Sequence, residues 1–202
     1  MHTLAREITE ELSVPVVHFL KKVRRHFHND GRSQCYSTWF RLWGGWASAA
    51  HCVEGCGGSW PEFTEGGGAD PILRPLGLDV ALAFADVPTE RPDDPVDGQE
   101  VTVLGFPAGA RHMEMRRGVV YMRRHHGQII TRIDEPAEPV VVGMSGGPVL
   151  DTRTGRPIGI LILRNSPAQL DKDPEHDESC DFVPLSAVWD AVNGQMPGMA
   201  AV

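Results

Sequence analysis

The fold is decided by Gly143-Met144-Ser145-Gly146-Gly147-Pro148-Val149-Leu150-Asp151 and by the run that follows it, Pro157-Ile158-Gly159-Ile160-Leu161-Ile162-Leu163. Gly143-x-Ser145-x-Gly147 has the spacing of a sharp turn that exposes a serine where a strand passes into a helix. No helical period follows it. Pro148 to Asp151 and Pro157 to Leu163 are instead short apolar runs on either side of Thr154-Gly155, and together they predict a β-hairpin. The serine is therefore expected in a turn between strands.

The rest of the chain fits that reading. Its 202 residues, 41% of them hydrophobic, are enough for one domain with a real core. The 22 glycines and 16 prolines are spread along the whole length, which argues against a helix bundle and for many short strands joined by turns. Strands are expected over 13–20, 35–43, 46–52, 78–84, 100–106, 113–122, 128–133, 138–142, 148–151, 157–163 and 180–184. The tract His28-Asn29-Asp30-Gly31 and the pair Gly44-Gly45 mark hairpin turns. Leu4, Ile8 and Leu12 recur every four residues and predict a short N-terminal helix, and Leu185 to Val192 predicts a closing one.

Three segments set a reactive side chain among small or apolar neighbours: Ala49-Ala50-His51-Cys52, Leu78-Asp79-Val80-Ala81-Leu82, and the turn around Ser145. A serine hydroxyl becomes a useful nucleophile only when a base takes its proton. An imidazole is that base when a carboxylate fixes its tautomer and stabilises its charged form. Glycines beside the serine let the backbone N–H groups of Gly143 and Ser145 converge on a developing oxyanion, where Cβ atoms would obstruct.

Trp46-Ala-Ser-Ala-Ala-His51-Cys52, Asp79-Val-Ala-Leu82 and Gly143-Met-Ser145-Gly-Gly-Pro148, with Leu104-Gly105-Phe106-Pro107 and Gly159-Ile-Leu-Ile162, resemble the chymotrypsin-like, or trypsin-like, serine peptidases. The resemblance runs from about residue 14 to residue 190 and favours the short bacterial and viral members over secreted zymogen-type trypsins. The order His, Asp, Ser separates it from the Asp, His, Ser of subtilisins and the Ser, acid, His of α/β-hydrolases. In the latter, Ser145 would be followed by Asp171 or Asp173 and then His176.

The resemblance implies an all-β fold of two packed six-stranded antiparallel β-barrels with a short N-terminal helix (1–12) and a C-terminal helix and tail (185–202). A first barrel over about 13–95 and a second over about 96–184 would form a single peptidase domain, with His51 and Asp79 from the first and Ser145 from the second. It also implies a serine endopeptidase acting on protein or peptide substrates through an acyl-enzyme, with activity rising through the near-neutral range as His51 loses its proton. Cys35 and Cys52 correspond to a disulfide pair of secreted members. Zymogen trypsins carry an Asp before the serine to receive a freed N-terminus; Met144 stands there instead, so activation by N-terminal cleavage is not expected. Pro139, Val140, Val141, Val142, Ile162, Leu163, Arg164 and Asp181 are the candidate substrate-pocket residues. The valines favour a hydrophobic P1 side chain, and Asp181 a basic one.

A net charge of −8 excludes a nucleic acid or an anionic membrane as partner of the whole surface. The basic clusters Lys21-Lys22-Arg24-Arg25-His26 and Arg116-Arg117-Arg123-Arg124-His125-His126 read as solvated faces. With the N-terminal helix, they are where a regulatory protein partner would dock. The alternative to catalysis is a silent or conditionally active barrel serving as a protein-binding module. No metal or cofactor is called for: His51, Cys52 and Cys56 lack the spacing of a zinc site, and strand alternation would send His51 and Cys52 to opposite faces. The absence of a signal sequence or an 18-residue apolar run favours a cytoplasmic location.

Overall fold

The first hairpin pairs β1 (Val23–Asn29) with β2 (Gln34–Leu42), from Val23 opposite Phe40 to Asn29 opposite Gln34. In this computed structural model the described residues are 19–29, 34–55, 72–73, 77–83, 85–108, 110–125, 128–134, 140–164 and 179–194. The expected helix over 1–12 and most of the strand over 13–20 lie outside them, and Phe19-Leu20 is helical rather than extended. Trp43 and Gly44, with φ of 49° and 76°, supply the two left-handed residues that a tight hairpin needs, and the chain returns as β3 (Gly45–Ser48). Here the structure departs from the sequence reading. Extended backbone stops at Ser48, and Ala50–Gly55 forms a short helix, α1. β4 (Ile72–Leu73) and β5 (Ala81–Ala83) complete a sheet in the order β1-β2-β3-β5-β4. Among the described residues this first sheet has five strands.

The second unit closes. β6 (Glu100–Gly105), β7 (Glu114–His125), β8 (Gln128–Asp134), β9 (Pro148–Asp151), β10 (Pro157–Arg164) and β11 (Ser179–Pro184) form a six-stranded antiparallel barrel, ordered β10-β11-β8-β7-β6-β9. The β9–β10 hairpin turns at Gly155 (φ 65°), as Thr154-Gly155 predicts. Of the strand expected over 138–142, residues 138 and 139 lie outside the described residues, and 140–142 are not extended strand, because Val141 to Gly143 are already turning toward Ser145.

Period-2 alternation sorts the side chains into three cores. Val101, Val103, Val149, Leu161 and Phe182 fill the barrel with Val140, Met144 and Cys180. Trp39, Trp46, Val53, Ala81 and Ala83 pack on one face of the first sheet. Its other face gives Phe40, Leu42, Ala47 and Leu82 to the largest core, shared with Leu104, Leu150, Ile160 and Val183 of the barrel. This shared core fixes one unit against the other.

α2 (Leu185–Val192) follows β11 and buries Leu185 and Val188 in the shared core. Its outer turn is tied to the segment that connects the two units. Trp189 Nε1 donates to the Pro88 carbonyl at 2.8 Å, and Arg91 holds Asp190 through bonds of 2.8 and 3.0 Å. No helix among the described residues is long and apolar enough to cross a membrane.

Candidate active site

His51 is the second residue of α1, reached through Ala49 and Ala50, which are small enough to be buried where the chain leaves β3. Asp79 lies in the turn after Gly77 (φ 79°), just before β5. The pairing of β5 with β3, Ser48 opposite Ala81, brings the two turns side by side. Asp79 Oδ2 lies 2.6 Å from His51 Nδ1, and Oδ1 accepts the His51 backbone N–H at 2.8 Å. A carboxylate only accepts, so Nδ1 carries a proton, and when the ring is neutral it is Nε2 that keeps the lone pair.

The hydrogen bond to Asp79, and then the contact with Cys52, push the His51 imidazole up to about 10, while burial pulls the other way. For Asp79, burial works to raise the carboxyl, but the bonds from the His51 side chain and backbone outweigh it and hold it below its ordinary value.

Cys52 was expected to face away from His51. On a helical turn, adjacent side chains diverge by only about 100° rather than by the half-turn of a strand, and the Cys52 sulfur sits 3.5 Å from His51 Nε2 and 3.8 Å from the Ser145 carbonyl oxygen. The Cys35–Cys52 disulfide is therefore not formed. Cys35 is disulfide-bonded, whereas Cys52 and Cys180 are buried thiols outside any disulfide. Cys35 Sγ lies 3.3 Å from the Cys52 carbonyl oxygen and beside Gly55. It thus meets the backbone of α1 while the Cys52 side chain points toward His51 and the Ser145 carbonyl.

Ser145 enters from the second unit, on the turn before β9. Gly143 has φ of 96°, and a Cβ there would stand 2.6 Å from the Phe106 oxygen and 2.7 Å from the Ala108 nitrogen, so only glycine fits. The carbonyl preceding Gly143, that of Val142, accepts the Ala108 N–H at 2.7 Å, and the carbonyl preceding Ser145, that of Met144, accepts the Gly147 N–H at 2.9 Å. In a trans peptide the N–H points opposite to the C=O. These two bonds therefore orient the Gly143 and Ser145 N–H groups. Gly146 (φ 84°) is equally constrained, since a Cβ would meet Ser48 Oγ at 2.0 Å.

The candidate pocket residues do not gather as one group. Val140 is buried with Leu161, Cys180 and Phe182, and Val141 packs partly against them. Val142 projects into solvent, 75% exposed, because the turn that sends its carbonyl to Ala108 sends its side chain outward. Ile162 packs toward the shared core. Asp181 alternates along β11 with the inward-facing Cys180 and Phe182 and so lies on the opposite face from them and Val140. Pro139 and the side chains of Leu163 and Arg164 lie outside the described residues. Among the described residues no group of three His, Cys, Asp or Glu side chains is arranged to hold a metal ion.

The family model of the trypsin-like peptidase domain matches residues 39–160, a span that holds His51, Asp79 and Ser145. Among solved structures, the active form of the M. tuberculosis protease Rv3671c aligns with a TM-score of 0.59 at 20% identity, covering 94% of this chain and 85% of that one. The thermostable serine protease AL20 from an extremophilic microorganism aligns at 0.57 and 14%, covering 88% and 98%. An HtrA-type protease, AlgW, with a decapeptide aligns at 0.54 and 12%, covering 93% and 67%. No curated protein matches the sequence. At these identities the structures speak for the fold, and the family match, spanning more than half of the residues, carries the assignment: the chain belongs to the trypsin-like peptidase domain family.

Proposed function

We propose that the protein is a serine endopeptidase in which Ser145 is the nucleophile, His51 the general base and acid, Asp79 the residue that orients and charges His51, and the N–H groups of Gly143 and Ser145 the oxyanion hole. The observation that carries this reading is the two-point grip of Asp79 on His51, at 2.6 and 2.8 Å, which makes Nε2 the acceptor of the neutral ring, as a base requires. Ser145 Oγ attacks the peptide carbonyl as its proton passes to His51 Nε2. The tetrahedral oxyanion forms against the two oriented N–H groups. His51 then gives the proton to the leaving amine, and water repeats the cycle on the acyl-enzyme. This sequence draws on no metal or cofactor.

Activation without N-terminal cleavage is supported by Met144. It is wholly buried in the barrel core, where an apolar side chain offers nothing to a new ammonium group, and the turn is braced by its own hydrogen bonds instead. The AlgW structure with a decapeptide fits a peptide as the class of substrate.

The test is labelling by a fluorophosphonate probe together with cleavage profiling on a peptide library, for wild type and Ser145→Ala. Labelling and cleavage that vanish in Ser145→Ala are expected. Labelling that appears only when a protein partner is added would indicate conditional activity, and none under any condition would defeat the reading.

A further inference from the structure

Thr38 belongs to β2 in the first sheet and is fully buried, yet its N–H and its hydroxyl both reach across to the turn of the second unit. The N–H donates to the Ser145 carbonyl at 2.9 Å. Oγ1 donates to the Gly143 carbonyl at 2.8 Å and accepts the Phe106 N–H at 2.9 Å. An amide N–H can only donate and a carbonyl can only accept, so the direction is fixed: Phe106 N–H to Thr38 Oγ, Thr38 O–H to Gly143. The Thr38 carbonyl is held in turn by the Ser48 hydroxyl at 2.8 Å.

Four successive peptide planes make up the turn, and their carbonyls are held alternately. The planes that present the Gly143 and Ser145 N–H groups are held by Ala108 and Gly147. The two planes between and after them, Gly143–Met144 and Ser145–Gly146, are held by the Thr38 hydroxyl and the Thr38 N–H. Gly143 has no Cβ to limit its rotation, so the angle between its two planes depends on what grips each carbonyl. Ala108 grips the first; the second is held at both ends, its Gly143 carbonyl by the Thr38 hydroxyl at 2.8 Å and its Met144 N–H by the Val141 carbonyl at 3.1 Å.

We infer that Thr38 is a positioning residue for the oxyanion turn, holding it from the opposite sheet through its hydroxyl. This rests on the serine peptidase reading. The same contacts register Ser145 against the unit that carries His51 and Asp79.

Thr38→Val keeps the branched shape and removes the hydroxyl, while Thr38→Ser keeps the hydroxyl. Thr38→Val is expected to lower kcat and the rate of fluorophosphonate labelling about 10- to 100-fold with KM within about twofold, since an oxyanion donor is misaimed rather than lost. Thr38→Ser is expected to stay within about threefold of wild type. Should Thr38→Val not fold, Thr38→Ala carries the same expectation. Amide hydrogen exchange reads the grip without activity: the Phe106 N–H should be protected in wild type and Thr38→Ser, and exchange faster in Thr38→Val. A folded Thr38→Val with wild-type kcat, Thr38→Ser as impaired as Thr38→Val, or an unprotected Phe106 amide in wild type would each overturn the inference. Wild type inert to probe and peptide would instead defeat the peptidase reading, and the exchange measurement would still decide the role of Thr38.

Discussion

Asp79 holds His51 at two points, its Oδ2 2.6 Å from Nδ1 and its Oδ1 2.8 Å from the backbone N–H. The first contact sets the tautomer and the charge of the ring, and the second fixes the turn that carries it. Asp79→Asn keeps a neutral acceptor in place but can favour the tautomer with the proton on Nε2, where it blocks the base. The expected result is a fall in kcat of about 10,000-fold, the scale of this replacement in a comparable triad, with the fold intact by circular dichroism. Activity within tenfold of wild type would show that Asp79 does not orient the base.

The pH profile should sit higher than an ordinary histidine would put it. His51 is a base only when neutral, and the bond to Asp79 followed by the Cys52 contact raises it from 6.5 to about 10. A raised value favours the protonated ring, so kcat/KM should climb through the alkaline range rather than the near-neutral range. The His51–Asp79 ion pair should contribute stability that is lost as pH rises through that value, and lost again on the acid side as pH falls through the depressed value of Asp79. Cys52→Ala removes the second raising contact, so its limb should move to lower pH. The same limb in both proteins would contradict this role for the thiol.

Gly143→Ala forces a Cβ to within 2.6 Å of the Phe106 oxygen at a φ of 96°. The residue can relax only by turning its peptide plane, which carries the oxyanion N–H away. Labelling by fluorophosphonate should drop about 100-fold or more, with a loss of about 1–3 kcal/mol in stability from the strained conformation. Urea denaturation and labelling kinetics measure the two effects separately.

The thiols can be told apart by alkylation. Unfolded in denaturant without reductant, the chain should take up iodoacetamide at Cys52 and Cys180 and not at Cys35, as mapped by peptide mass spectrometry. A peptide containing Cys52 joined to Cys35 would restore the pairing that the sequence resemblance suggests.

Much of the barrel was legible because its strands are bounded by punctuation and most of them are six residues or longer. β6, β7, β8, β9, β10 and β11 begin within one residue of the starts expected from alternation and turn residues, and Thr154-Gly155 turns where it should. Short elements were less legible. Ala-Ala-His-Cys-Val carries no period long enough to separate a strand from a helical turn, so α1 was read as a continuation of β3, and Cys52 was sent to the wrong side of His51. The run from Val140 to Val142 is β-branched and reads as a strand, but the needs of the Gly143 turn override that propensity.

By itself the sequence determined the family, the His51, Asp79, Ser145 order and the glycines of the Ser145 turn. These are local properties, fixed by which residue types stand next to one another. Only the tertiary structure decided that Cys35 pairs elsewhere than with Cys52, that the Cys52 thiol sits against His51 Nε2, that Asp181 and Val140 lie on opposite faces of the barrel wall, and that Thr38 braces a turn 105 residues further along the chain. Each of these is a contact between segments remote in sequence. Such contacts depend on strand register and on how two sheets pack over a shared core, and a one-residue change of register turns every side chain to the other face.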